Sequence, residues 1–314
     1  MNLGTEKNKK VMMRSRATFK DTLSLDILTL PALILVFLFN YVPMFGVIIA
    51  FKNFNPNLGV FKSEWVGLDN FKFFFESSDA FRITRNTVLY GFAFQIIGIL
   101  AAVGLALLIY EVKSRAASKF YQTTYIIPTF ISWVLVAYIV YALLNPTLGI
   151  FNQILVFFGK DAIDWYAEPA YWPVILTITN VWKTVGMNSI IYYAALMGVD
   201  QSLFEAARVD GANKWHEIIH IKIPELSSVM IIVLILGMGN IIRGDFGLFY
   251  QVPKDVGVLY PTTDIIDTYV YRGLQGSNMG TSAAVGLFQS VVGLFLIITT
   301  NAIVKKIDNE KSMF

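Results

Sequence analysis

Six stretches of this chain run for seventeen residues or more with at most one charged side chain: 27–51, 86–110, 120–144, 170–197, 226–242 and 273–304. A helix rises about 1.5 Å per residue and the hydrocarbon core of a bilayer is about 30 Å thick. Five of the stretches are long enough to cross it, and 226–242 sits at the lower limit. Backbone amides and carbonyls find no water inside lipid, which restricts such segments to helices. The chain is therefore expected to be an all-α integral membrane protein with six transmembrane helices. A composition of 55% hydrophobic and 15% charged residues over 314 positions is too apolar for a soluble protein of this length. The absence of cysteine excludes disulfide frameworks, thiol catalysis and thiolate metal sites.

The polar segments set the topology. Residues 1–26 form a basic tail with Lys7, Lys9, Lys10, Arg14, Arg16 and Lys20, and the apolar run after it is too long for a cleaved signal peptide. The first span is expected to stay in the membrane, kinked or ended early by Pro43. Residues 52–85 mix aromatics with charges and suit an amphipathic helix outside the lipid. Gly98, Ala102 and Ala106 in the second span, and Ser282, Gly286 and Ser290 in the sixth, recur every four residues, a pattern expected to make smooth contact faces. Pro128 is expected to kink the third span and Asn145-Pro146 to stop it. Segments 147–168 and 243–280 read as outer loops, the second partly dipping into the protein. With both termini inside, fifteen of the twenty-five basic residues fall on the cytoplasmic side and nine outside, Lys183 lying within a span. Basic clusters that mark topology in this way do not form a nucleic-acid surface. The domain plan is thus a tail (1–26), one membrane domain (27–304) and a cytoplasmic C-terminus (305–314).

Residues 202–224, SLFEAARVDGANKWHEIIHIKIP, form a polar island between the fourth and fifth spans. Ser202 and Glu205 have the spacing of a capping box, and Phe204, Ala207, Gly211 and Trp215 fall on one helical face. Asp210-Gly211 marks a bend between two short helices, and Pro224 is expected to end the second. The order Glu205-Ala206-Ala207, Gly211, Ile221, Ile223-Pro224 resembles the EAA loop of permease subunits in binding-protein-dependent ABC importers, with Ile223 where leucine is usual. YVPMFGVIIAF at 41–51 and WVGLDNF at 65–71 are similar to the N-terminal signature of the branch serving complex oligosaccharides and polysaccharide fragments. The large extracellular insertion of some maltose-type permeases is absent.

The resemblance implies that 200–224 is a cytoplasmic coupling helix pair docking in a groove of an ATPase subunit. Its coupling residues would be Glu205, Ala206, Ala207, Asp210, Gly211, Trp215 and Pro224. It further implies a second related permease, an ATPase dimer that supplies ATP and Mg chemistry, an extracellular solute-binding protein and an oligosaccharide cargo, in the cell membrane.

Two rival classes are weighed. His216-Glu217-x-x-His220 matches H-E-x-x-H, in which two histidines on one helical face hold zinc and the glutamate serves as base, as in intramembrane metalloproteases. Against it, these are the only two histidines, a third ligand would be a distant carboxylate, and Pro224 follows His220 by four residues. An ion-coupled secondary transporter needs carboxylates in mid-span, and the spans lack them. The only Gly-Lys pair, Gly159-Lys160, lacks the flanks of a phosphate-binding loop. The expectation is a transport subunit, not an enzyme, with no metal or cofactor of its own.

A sugar offers hydroxyls to bond and C–H faces to stack on rings. The fourth span supplies such groups in Asn180, Trp182, Lys183, Asn188 and Tyr192, although aromatics and asparagines also serve helix packing. Lys183 lies near mid-span without a carboxylate partner, so it is expected to face the translocation path and to favour acidic saccharides.

Overall fold

The computed structural model describes residues 19–276 and 278–307. Most of the basic tail and Lys311 lie outside the described residues. The chain is mostly helical: α1 (Phe19–Val36), α2 (Asp69–Glu76), α3 (Ser78–Tyr110), α4 (Arg115–Phe130), α5 (Trp133–Leu144), α6 (Ile150–Phe157), α7 (Trp172–Met197), α8 (Gln201–Val209), α9 (Lys214–Glu217), α10 (Ile223–Met238), α11 (Phe246–Gln251), α12 (Ile266–Gln275) and α13 (Met279–Ile307). Among the described residues, four helical runs are long and apolar enough to cross a membrane: Ile27–Phe51, Ser78–Tyr110, Lys214–Met238 and Met279–Lys306. A fifth is added if α4 and α5, bent by 99°, count as one broken span. The expected fourth span is the 26-residue helix α7, long enough to cross but too polar to join that group by composition.

The structure departs from an all-α reading at one small ribbon. Lys52–Asn53 pairs antiparallel with Glu64–Trp65, and Asn70 Nδ2 pins it by donating to the Ala50 and Lys52 carbonyls. The segment expected to be one amphipathic helix over 52–85 is therefore this ribbon, α2 and the first turns of α3. The second span starts at Ser78 and not at residue 86, because the Ser77 side chain accepts from the Ala80 amide and caps the helix there.

Neither Pro43 nor Pro224 ends its helix. Each follows a π turn by two residues: Phe37–Tyr41 before Pro43 and Ile218–Lys222 before Pro224. In these turns Val42 donates to Phe37 and Ile223 to Ile218, so the bonds span five residues and the chain passes a residue that has no N–H. Pro128 likewise sits inside α4, and the break falls later, at Ile131–Ser132, where the Ser132 side chain caps α5. Segment 243–280, expected as an outer loop, contains the helices α11 and α12 joined by turns and short helical pieces.

Long-range packing centres on α3 against α7. Ala102 and Ala106 are fully buried with Tyr192, Leu196 and Leu226, as the small-residue spacing predicts for that part of α3. In the sixth span Ser282 is buried and Ser290 exposed, and within this chain α13 buries Ala284, Val285 and Gln289. Among glycines of the described residues the tightest backbone approach is at Gly186, where an added Cβ would lie 2.0 Å from the Tyr125 carbonyl oxygen of α4.

Gly186→Ala should thus destabilise the protein by about 1–3 kcal/mol, the usual cost of overpacking. Gly104→Ala, which meets nothing within 4 Å, should instead gain up to about 1 kcal/mol of helix propensity. Thermal denaturation of the two variants in detergent checks the pair, and equal midpoints would contradict the packing.

Candidate functional site

The polar island folds as an elbow of two helical arms. Asp200, not Ser202, caps α8, its carboxylate accepting from the Ser202 amide at 2.9 Å; that bond holds the Asp200 carboxyl below the usual range. At the other end, Gly211 donates to the Arg208 carbonyl and Ala212 to the Ala207 carbonyl, with Gly211 at φ +83°. This bond pair is a Schellman motif, which needs a left-handed residue and so selects glycine. The Ala207-to-Gly211 spacing is therefore the signature of a helix terminus. Asn213 caps the second arm, accepting from the His216 amide at 2.9 Å.

Because α8 stops at Val209, Phe204, Ala207, Gly211 and Trp215 do not share a face. Phe204 is buried, whereas Trp215 is 71% and Val209 87% exposed. Glu205, Ala206, Asp210 and Pro224 are exposed as well. The inner side of the elbow is charged. The ammonium of Lys222, 1% exposed, bonds Glu111 at the end of α3, lies 3.8 Å from Glu217, and sits over the Tyr110 and Phe204 rings at 5.0 and 5.7 Å. Glu217 also accepts from Arg208 Nε at 2.8 Å, and Lys214 bonds Glu111. Partial burial by itself pushes the Glu111 carboxyl up, but the hydrogen bonds and charges of Lys214 and Lys222 outweigh it and hold the carboxyl below its ordinary value.

The π turn accounts for this convergence. Glu217 and Lys222 are five residues apart, about 140° out of phase on an α-helix, and the wide winding between them brings both to the inner side. It also gives Glu217 a partner set unlike that of a metalloprotease base. His216 and His220 stack at 5.7 Å on the outside, and among the described residues no group of three His, Cys, Asp or Glu could hold a metal ion.

In α7 the structure separates the candidate residues. Lys183 is buried, and its ammonium donates to the Pro128, Thr129 and Ile131 carbonyls at 3.3, 2.9 and 2.5 Å, 5.1 Å from the Trp133 ring centre. The Thr129 and Ile131 carbonyls lie free at the break where α4 ends, the Pro128 carbonyl also accepts from the Ile131 amide at 3.2 Å, and a cation there meets the negative end of the helix dipole. Lys183 thus holds a broken helix together instead of presenting its charge to a path. Asn180 accepts from the Thr184 hydroxyl on its own helix, and Trp182 is 41% exposed. Asn188 and Tyr192 both line a cleft of about 250 Å³ between α3, α7 and α10. Gln95, Gly98, Gly237 and Asn240 complete its polar and narrow parts, and the buried Tyr192 hydroxyl has no bonding partner. Gln95 and Asn240 escaped sequence reasoning, although each is a polar residue in an otherwise apolar run.

Two measurements follow from this geometry. Lys183→Met strands buried carbonyls and should cost about 1–3 kcal/mol, read as a lowered unfolding midpoint for the purified protein; an unchanged midpoint would show that the carbonyls are otherwise satisfied. The lowered Glu111 pKa means its stabilisation is present above the ordinary carboxylate value and is lost as pH falls through the lowered one. The midpoint difference between the native chain and Glu111→Gln should be full at about pH 6 and shrink only below about pH 4. A difference that grows toward acid would contradict the ion pairs.

Residues 95–309 match the family model described as binding-protein-dependent transport system inner membrane component. Protein LplB of Bacillus subtilis (strain 168) is 36% identical over 295 residues, 94% of this chain and 92% of LplB. The polygalacturonan/rhamnogalacturonan transport system permease protein YteP of the same organism is 36% identical over 91% of this chain and 89% of its own length. Among solved structures, a chain of a bacterial alginate ABC transporter, in complex with an alginate pentasaccharide-bound periplasmic protein, superposes with a TM-score of 0.83 at 32% identity, covering 94% of this chain and 98% of that one. The chain therefore belongs to the family of inner membrane permease components of binding-protein-dependent ABC transport systems.

Proposed function

We propose that this chain is one permease subunit of an ATP-driven importer of oligosaccharides, with six spans, both termini in the cytoplasm and the elbow acting as its coupling helix pair. The observation that carries the reading is the elbow itself: a glycine-terminated helix pair that turns Glu205, Ala206, Val209 and Trp215 outward while anchoring Phe204 and Lys222 inward. An exposed tryptophan and valine beside charged groups suit a protein partner's groove. That partner is an ATPase dimer, which brings ATP and Mg; this chain contributes neither catalytic residue nor metal ligand. Asp210, Gly211 and Pro224 shape the elbow, and Glu205, Ala206, Ala207 and Trp215 meet the ATPase.

The cleft beside Asn188 and Tyr192 forms part of the path, which a second related permease completes, and an extracellular solute-binding protein delivers the cargo. A free buried hydroxyl and three amide side chains suit sugar hydroxyls. Acidic polysaccharide fragments are the favoured cargo class. Support comes from the polygalacturonan/rhamnogalacturonan and alginate systems that the chain is similar to, and not from Lys183, whose charge is committed to carbonyls. Trp182 and Asn180 lie outside the lining of this cleft.

Affinity purification of the native assembly should bring down a nucleotide-hydrolysing subunit. Gly211→Val, which forces a β-branched residue to positive φ, should abolish that association or uncouple transport from hydrolysis. Normal co-purification and uptake in Gly211→Val would count against the assignment. Asn188→Ala and Tyr192→Phe should each lower oligosaccharide uptake several-fold in proteoliposomes while ATPase association persists. Unaltered uptake would remove the cleft from the path.

A further inference from the structure

The elbow is covalently continuous with two helices only: α7 before it and α10 after it. The third wall of the cleft, α3, ends at Tyr110, ninety residues before α8 begins. Its link to the elbow is through side chains. Lys222 bonds Glu111, Lys214 bonds Glu111, the Gln201 amide donates to the Tyr110 hydroxyl at 3.2 Å, and Tyr110 packs on Phe204 with ring centres 6.2 Å apart. Of the charged groups in this set only Lys222 is fully enclosed. Lys214 is 68% exposed, so its pairing is weakened by water at both ends, whereas the Lys222 pair meets water only at Glu111, which is 29% exposed.

Resting on the permease reading above, we propose that Lys222 is the positioning residue that makes α3 travel with the elbow, so that the three helices around the cleft tilt as one body. Force received at Trp215 and Glu205 passes along the backbone to α7 and α10, and through the Lys222–Glu111 pair to α3. Without the pair, α7 and α10 would move while α3 lagged, and the cleft would distort instead of reorienting. The charge is buried under Tyr110 and Phe204 because an exposed pair would part too easily under load.

The test uses the full transporter, reconstituted with its ATPase subunits, second permease and binding protein. Lys222→Met should leave ATPase subunits bound and basal hydrolysis present, yet lower substrate moved per ATP at least tenfold. Lys222→Arg, which keeps charge and length, should restore most of the ratio. Since Lys222→Met strands Glu111 and could unfold the joint, the double variant Lys222→Met/Glu111→Gln removes both charges with little change of volume. It should melt near the native temperature and remain uncoupled. A double variant with native stability and native transport per ATP would overturn the proposal, as would a Lys222→Arg variant as uncoupled as Lys222→Met. Failure of any ATPase to co-purify with the native chain would instead refute the permease reading, which separates the two claims.

Discussion

A missing backbone hydrogen decides which way the elbow faces. Pro224 offers no N–H to the turn before it, the chain answers with the π winding at Ile218–Lys222, and that winding carries Lys222 inward beside Glu217. A regular helix through the same residues would set the lysine about 140° away from the glutamate. The pairing of Lys222 with Glu111 and its seat over the Tyr110 and Phe204 rings depend on this one change of winding. The same device, at the same two-residue offset, carries the first span past Pro43.

Charge inside the membrane domain is handled by a common rule. Lys183 answers the carbonyls at the break after α4, Lys222 answers two carboxylates at the elbow, and at the far end of α3 the fully buried Asp264 accepts from both Arg82 and Arg272, at 3.1 and 2.7 Å. An isolated buried charge is costly, and each of these has partners arranged around it. The two ends of α3, about 50 Å apart for 33 residues, are thus each held by a buried ionic cluster, and the cleft lies between them.

Much of this was legible in the sequence. Uncharged run lengths located the long helices, the Ala102-Ala106 part of the four-residue spacing located the α3–α7 contact, and Asp210-Gly211 located the bend. What failed had a physical cause in each case. From sequence Pro224 reads as a stop and Pro43 as a kink or a stop, because an α-helical bond pattern is the default and a π turn leaves no mark in composition. Gly211 and Trp215 were placed on one face, because the helix was carried through a residue whose left-handed φ ends it. Lys183 was assigned to the path because no carboxylate was in reach, and carbonyls freed by a helix break more than fifty residues earlier are invisible to a search for opposite charges. Gln95 and Asn240 join the cleft only through tertiary packing, which brings three separate runs to one place.

The central claim is that the outer side of the elbow is where the motor grips, and the absence of native cysteine makes a clean test possible. A single cysteine at Val209, 87% exposed at the end of α8, can be cross-linked with a short bifunctional maleimide against single cysteines in the groove of the ATPase subunit. The account predicts efficient cross-linking that changes with nucleotide. A Val209→Cys protein that reacts with free maleimide in the assembled transporter, yet cross-links to no ATPase position, would contradict it.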